Sequence, residues 1–244
     1  MRRVVFWSSF PFVLPQALRL RRTAPRFVAA AGPVTGSVAG KRSVRLIAIG
    51  DSIIAGVGAR SLDLALVGQT ASILSQSLGV GVEWQAIGSI GATSAKIAQQ
   101  LVPKLPDRAV DFIVLSTGVN DLTSLMTLGR WRTSLDTLLA ALHRHSPGAI
   151  VAVAGIPPLH GFPLLPQPLR AVFGMRGRSF DAVGRRVVAA HDHAVYVPLE
   201  FTPGPDKFSP DGFHPSEASY ADFGAAVAAA FVGRAGRPGP AGGA

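Results

Sequence analysis

Short apolar runs alternate along this chain with stretches of helical periodicity, and that alternation limits the folds open to it. Residues 44–49, 81–87, 110–116, 149–156 and 194–199 each read as a mostly apolar strand. A strand without a polar face is buried on both sides. Between the runs, residues 62–78 carry Leu62, Leu66, Ile73 and Leu74 at helical spacing and stop at Gly79, a helix-ending residue. Residues 93–102 form a helix that Pro103 ends, and residues 130–145 form one halted by Pro147 and Gly148. A further helix runs from after Gln167 to about residue 190, and the last spans 216–231 with Ser216 as its cap.

Strands that each feed a helix before the next strand build a parallel sheet with right-handed crossovers and helices on both faces. The expected fold is therefore α/β: a three-layer α/β/α sandwich around a five-stranded parallel, flavodoxin-like sheet, in the order 2-1-3-4-5. Such sheets bind ligands beyond the carboxyl ends of their strands.

The residues at those ends are chemically distinctive. The first strand ends in Gly50-Asp51-Ser52, the second runs into Gly88-Ser89-Ile90-Gly91, and the third ends in Gly118-Val119-Asn120-Asp121. Beyond the fifth lies Ser209-Pro210-Asp211-Gly212-Phe213-His214-Pro215. Acyl transfer needs these parts. A serine hydroxyl requires a base within hydrogen-bond reach, and His214 can serve Ser52. The other ring nitrogen of that base needs an acceptor to fix its tautomer, and Asp211 can supply it. A tetrahedral oxyanion needs donors already aimed at it; the amides of Ser52 and Gly88 and the side chain of Asn120 would make three. Asp51 is expected to tie down the turn.

Gly50-Asp51-Ser52, Gly88, Gly118-x-Asn120-Asp121 and Asp211-x-x-His214, in this order and approximate spacing, resemble the SGNH hydrolases, or GDSL esterases and lipases. The resemblance covers roughly residues 43–233. It implies hydrolysis of carboxylic esters, thioesters or acetylated sugars through an acyl-serine. It assigns Ser52 as nucleophile and oxyanion donor, Gly88 and Asn120 as oxyanion donors, Asp211 as the orienting acid and His214 as base. The second motif of the family often has Asn two residues before its glycine and Ser two after; here they are Ala86 and Ile90. A transferase using the same acyl-serine, or a binding module on the same fold, are the alternatives.

Other chemistries lack their motifs. No Gly-x-Ser-x-Gly elbow, no complete Gly-x-Gly-x-x-Gly turn and no phosphate loop is present. The chain has no cysteine, which excludes disulfides, thiolate metal sites and cysteine nucleophiles. His191-Asp192-His193 lacks an evident third ligand, and His143 and His145 are expected to be solvated. No cofactor and no metal are expected.

The net charge of +10 would suit a nucleic-acid binder, but it sits at the ends. Residues 1–42 hold Arg2, Arg3, Arg19, Arg21, Arg22, Arg26, Lys41 and Arg42 and no acid, and the tail adds Arg234 and Arg237. The remainder is neutral, so no nucleic-acid partner is expected. The basic residues of 1–42 flank an apolar, aromatic stretch containing Phe6, Trp7, Phe10 and Phe12. It is shorter than a spanning helix and holds Pro11 and Pro15. The segment is expected to be an appendage that rests on an anionic membrane face, packs on the domain or stays disordered. A cytoplasmic or membrane-associated location is favoured over export. Residues 234–244 read as a disordered Gly/Pro-rich tail.

A chain starting near Lys41 is accordingly expected to fold and to act on small esters. The substrate is expected to be a small acyl or aryl ester. The apolar, proline-stiffened loop 156–169 should overhang the same edge and line its acyl site, with Leu122, Leu125 and Met126 opposite.

Overall fold

A computed structural model describes residues 2–199 and 204–236. Its elements in chain order are α1 (Arg2–Thr23), β1 (Thr35–Val38), β2 (Ser43–Gly50), α2 (Leu66–Leu78), β3 (Gly81–Gly88), α3 (Ser94–Lys96), β4 (Phe112–Ser116), α4 (Val119–Thr123), α5 (Leu128–His145), β5 (Ile150–Ala154), α6 (Leu169–Val188), β6 (Ala194–Val197) and α7 (Glu217–Ala235). α3 passes into a π-helical turn, Ile97–Leu101, and then a 3-10 turn at Val102–Lys104. The wide turn and Pro103 together end that helix.

The sheet has six strands in the order β1-β3-β2-β4-β5-β6. β2 through β6 are the five expected strands, parallel and in the expected order. β1 is an addition: an antiparallel edge strand that pairs with β3, Thr35 opposite Gln85 and Val38 opposite Val82. It covers an edge that would otherwise expose unpaired backbone. Its glycine, Gly36, lies against the Trp84 ring, where a Cβ would stand 2.2 Å from Cζ2.

Alternation along each strand sorts the core into two layers. Leu46, Ala48, Val114 and Ala152 face α2 and α7, with Leu66, Leu74, Tyr220 and Phe231. Ile47, Ile49, Ile113, Leu115, Val151 and Val153 face the other way, toward Trp131, Leu135 and Leu138 of α5 and Phe180 of α6. α2 and α7 approach closely at Gly224, where a Cβ would meet the Thr70 amide nitrogen at 2.9 Å. Ser216 caps α7, its hydroxyl accepting from the Ser219 amide at 3.2 Å. α7 runs two residues past the expected boundary at 233. Residues 237–244, most of the expected tail, lie outside the described residues.

The N-terminal segment lies on the domain. α1 continues through Pro11 and Pro15 and adds Phe6 and Val13 to the second core layer. Phe6 packs edge-on against Phe173 of α6 and lies under the Arg176 guanidinium, 4.4 Å from its ring centroid. Further along α1, Gln16 donates to the Gln167 carbonyl at 2.8 Å and accepts from the Leu169 amide at 3.1 Å. α1 therefore runs antiparallel to α6 and ends beside the start of α6, at the carboxyl edge of the sheet. A chain starting near Lys41 would lose α1, β1 and these contacts, so it is expected to be less stable than the full chain. No helix among the described residues is long and apolar enough to cross a membrane.

Candidate active site

The loop after β2 begins with a turn that needs glycine. A Cβ on Gly50 would lie 2.2 Å from the Ser116 carbonyl oxygen. Asp51 follows, buried, and accepts from the Ile53 amide at 3.1 Å and the Ser116 hydroxyl at 2.9 Å. It thereby ties the end of β4 to the turn, the structural part expected of it. Burial pushes its carboxyl up, and the Ser116 hydroxyl and Ile53 amide offset part of that rise. Ser52 then opens a coil of tight turns, with the Val57 amide donating to the Ser52 carbonyl at 3.0 Å.

The loop before α7 carries the partner. Its two sides are pinched together, the Ser209 amide donating to the His214 carbonyl at 2.8 Å. Asp211 folds the turn locally, its Oδ1 accepting from the amides of Phe213 and His214, both at 2.8 Å. Its Oδ2 is 2.8 Å from His214 Nδ1, and His214 Nε2 is 2.9 Å from Ser52 Oγ. Burial alone would raise the Asp211 carboxyl. Hydrogen bonds from the His214 ring, the two amides and Ser209 outweigh it and hold the carboxyl well below the usual carboxylate range. The aspartate thus stays ionised beside the ring. Tyr220 of α7 donates to the Val57 carbonyl at 2.7 Å, so the helix after one loop braces the loop that carries Ser52.

Asn120 lines the same cleft as Ser52 and His214. Its Nδ2 donates to the Ala92 carbonyl at 2.9 Å, which fixes the amide with one of its two hydrogens. Gly88 ends β3 opposite Gly50 and is exposed, but it is not among the lining residues. The sequence offered its amide as an oxyanion donor. The close approach in the structure is to the loop after Ser52, where a Cβ would stand 2.3 Å from the Ala55 nitrogen.

Asp121 and Ser94 carry more of the framework than the sequence revealed. Asp121 is fully buried and accepts from the Ser94 amide at 3.0 and 3.1 Å and from the Ser94 hydroxyl at 2.5 Å. Burial raises its carboxyl, and the Ser94 bonds counter that. The pair joins the end of β4 to the loop after β3, holding Asn120 against Ala92. An Asn-Asp pair at a strand end was the sequence signal; nothing near Ser94 marked it.

The apolar loop has two roles. Leu159, Leu165 and Leu169 are buried in the core, while Pro157 and Phe162 line the cleft. Phe162 packs edge-on against Phe208 and Phe213. Leu122 is core, with Leu125 and Met126 packed against that core; Val119, not these, lines the opposite wall. Far from the cleft, His143 and His193 stack at 4.2 Å and His191 bonds Asp136 at 2.8 Å, so these histidines interact rather than point freely to solvent.

Comparison with known proteins bears on the family and the fold. Residues 48–221 match the model of the GDSL-like lipase/acylhydrolase family. The chain is 32% identical over 190 residues to the GDSL-like esterase Rv1075c of Mycobacterium tuberculosis, covering 73% of this chain and 58% of that protein. The chain thus spans less than two thirds of that relative's length. Among solved structures, the lipase Lip_vut3 from a goat rumen metagenome superposes with a TM-score of 0.63 at 18% identity, over 77% of this chain and 97% of that one. A family 3 carbohydrate esterase of Clostridium thermocellum gives 0.61 at 20% identity, over 79% and 96%. These likenesses show a shared fold. Taken with the family match over most of the domain, they place the sequence: the chain belongs to the GDSL-like lipase/acylhydrolase family.

Proposed function

We propose that the protein is a serine esterase that hydrolyses small carboxylic esters through an acyl-serine. The observation that carries this reading is the unbroken chain of hydrogen bonds from Ser52 Oγ through His214 to Asp211. Ser52 Oγ attacks the ester carbonyl carbon while its proton passes to His214 Nε2. Asp211, kept ionised, stabilises the imidazolium through Nδ1. The negative charge gathers on the carbonyl oxygen, where the Ser52 amide, the Gly88 amide and the second Asn120 Nδ2 hydrogen are the proposed donors. Collapse breaks the bond to the alcohol, which leaves with the proton from His214. Water, deprotonated by the same ring, then releases the acid and regenerates Ser52.

Pro157, Phe162, Phe208 and Phe213 give the cleft an apolar wall, which suits an acyl chain or aryl group better than a polyhydroxylated one. A fluorophosphonate probe is expected to form one adduct, on the peptide containing Ser52, and to abolish hydrolysis of aryl acetates. Labelling elsewhere with retained activity would sink the proposal. Asn120→Ala is expected to lower kcat by about 10²–10³ with a smaller change in KM, the range for one oxyanion donor. A raised KM at unchanged kcat would make Asn120 a substrate contact instead.

The outer face of α1 favours a second reading, peripheral contact with an anionic membrane. Trp7, Leu14 and Leu18 are exposed, and their spacing of seven and four residues sets them in one stripe. Arg19, Arg21 and Arg22 close that end of the helix, with no acid through residue 42. Vesicles containing phosphatidylglycerol should bind the full chain and release it in high salt. Equal binding after Trp7, Leu14 and Leu18 are all changed to Ser would refute this role for the stripe.

A further inference from the structure

Residues 24–34, between α1 and β1, cross the carboxyl edge of the sheet as a strap. The Ala30 amide donates to the Ala55 carbonyl at 3.0 Å and the Ala31 amide to the Arg60 carbonyl at 3.1 Å. At its far end the Val34 carbonyl accepts from the Ala86 amide at 2.8 Å. The strap is therefore pinned to the loop that carries Ser52 and to the strand beside it. From it Phe27 reaches the ring of His214, with centroids 4.5 Å apart and planes at 72°. Phe27 also lies nearly parallel to Phe213, at 6.0 Å and 18°, and Phe213 itself meets His214 at 5.2 Å and 69°.

His214 is held through its two nitrogens, by Asp211 and by Ser52. Both bonds act along one line across the ring, so they restrain its tilt about that line only weakly. Packing must supply the rest, and among the described residues Phe27 and Phe213 are aromatic rings that meet it. Edge-to-face contacts at this separation favour one orientation over others. The same contacts help keep His214 at 2% exposure, and a drier site strengthens the two hydrogen bonds.

We propose that Phe27 is a positioning residue for His214, so that the strap is a working part of the site and not a detachable leader. This rests on the serine-esterase reading above. Phe27 does not line the cleft beside Ser52, so its loss should change the base and not the substrate's fit.

The test uses the full chain with Phe27→Ala, Phe27→Leu and Phe27→Tyr, assayed on an aryl acetate and for the rate of Ser52 phosphonylation by a fluorophosphonate. The Ala variant is expected to lose about tenfold in kcat, short of the 10²-fold that a 1 Å misplacement can cost, with KM within twofold. Phosphonylation should slow by a similar factor, and Tyr should restore both rates while Leu does not. A kcat within twofold of wild type in the Ala variant overturns the proposal, as does a KM that rises in step with the loss. If the Ala variant fails to fold, Leu and Tyr decide: Tyr near wild type with Leu several-fold lower supports the role, and equal rates overturn it. Ser52→Ala run alongside separates the two ideas. If it remains active the esterase reading fails; if it is inactive and Phe27→Ala is unimpaired, only the positioning role fails.

Discussion

Ser52→Ala is expected to lower kcat for aryl ester hydrolysis on the order of 10⁶-fold, the scale seen when a serine nucleophile is removed from a hydrogen-bonded triad. The change deletes a single hydroxyl at the mouth of a turn whose shape is set by other groups. Gly50 makes the turn and Asp51 ties it to Ser116 and Ile53. The Ser52 hydroxyl bonds His214. The melting temperature and circular dichroism of the variant should therefore match those of the parent. Turnover within a few-fold of wild type in a folded variant would remove Ser52 from the mechanism. Residual activity of 10³–10⁴ over water is expected from the oxyanion donors alone.

Asp211→Asn should cost about 10⁴ in kcat, since an amide favours the wrong imidazole tautomer and cannot stabilise the imidazolium. It keeps the base, so its residual activity should exceed that of His214→Ala. The same residue has a stability signature. Its carboxyl is depressed in the folded chain, so its ionised form contributes stability above an unfolded value near 4. That contribution is lost as the pH falls through the depressed folded value. The asparagine variant should lack this part of the acid dependence, measured as denaturant midpoint against pH. An unchanged acid limb together with near-normal kcat would show that Asp211 neither orients His214 nor is held by it.

The N-terminal segment was harder to read than the site. Pro11 and Pro15 argue against a helix interior, yet α1 continues through both because Phe6 and Val13 bury against α6 and tertiary packing outweighs local propensity. β1 is only Thr-Gly-Ser-Val, with no buried residue; what makes it a strand is the free edge of β3, a feature of the assembled sheet. Phe27 carried no local signal, since an aromatic in a basic leader looks like any other until His214 is brought beside it. Gly88 stood out as the end of a strand, and its close neighbour, Ala55, is one that the sequence could not name.

What the sequence by itself determined is the parallel sheet and the edge at which Ser52, Asn120 and His214 gather. A strand buried on both faces must be apolar throughout, and a loop at its carboxyl end must be polar and glycine-rich to turn there, so both are written locally. Asp211 and His214 were legible as a pair for the same reason: three residues apart, they are joined by one short turn. The rest was decided by the tertiary structure, because it depends on contacts between segments distant in the chain. These are the 2.9 Å approach of His214 to Ser52, the Asp121–Ser94 clamp behind Asn120, the edge strand, and the strap that carries Phe27 to His214. No local pattern encodes such meetings; they follow only when the sheet has set which loops share an edge.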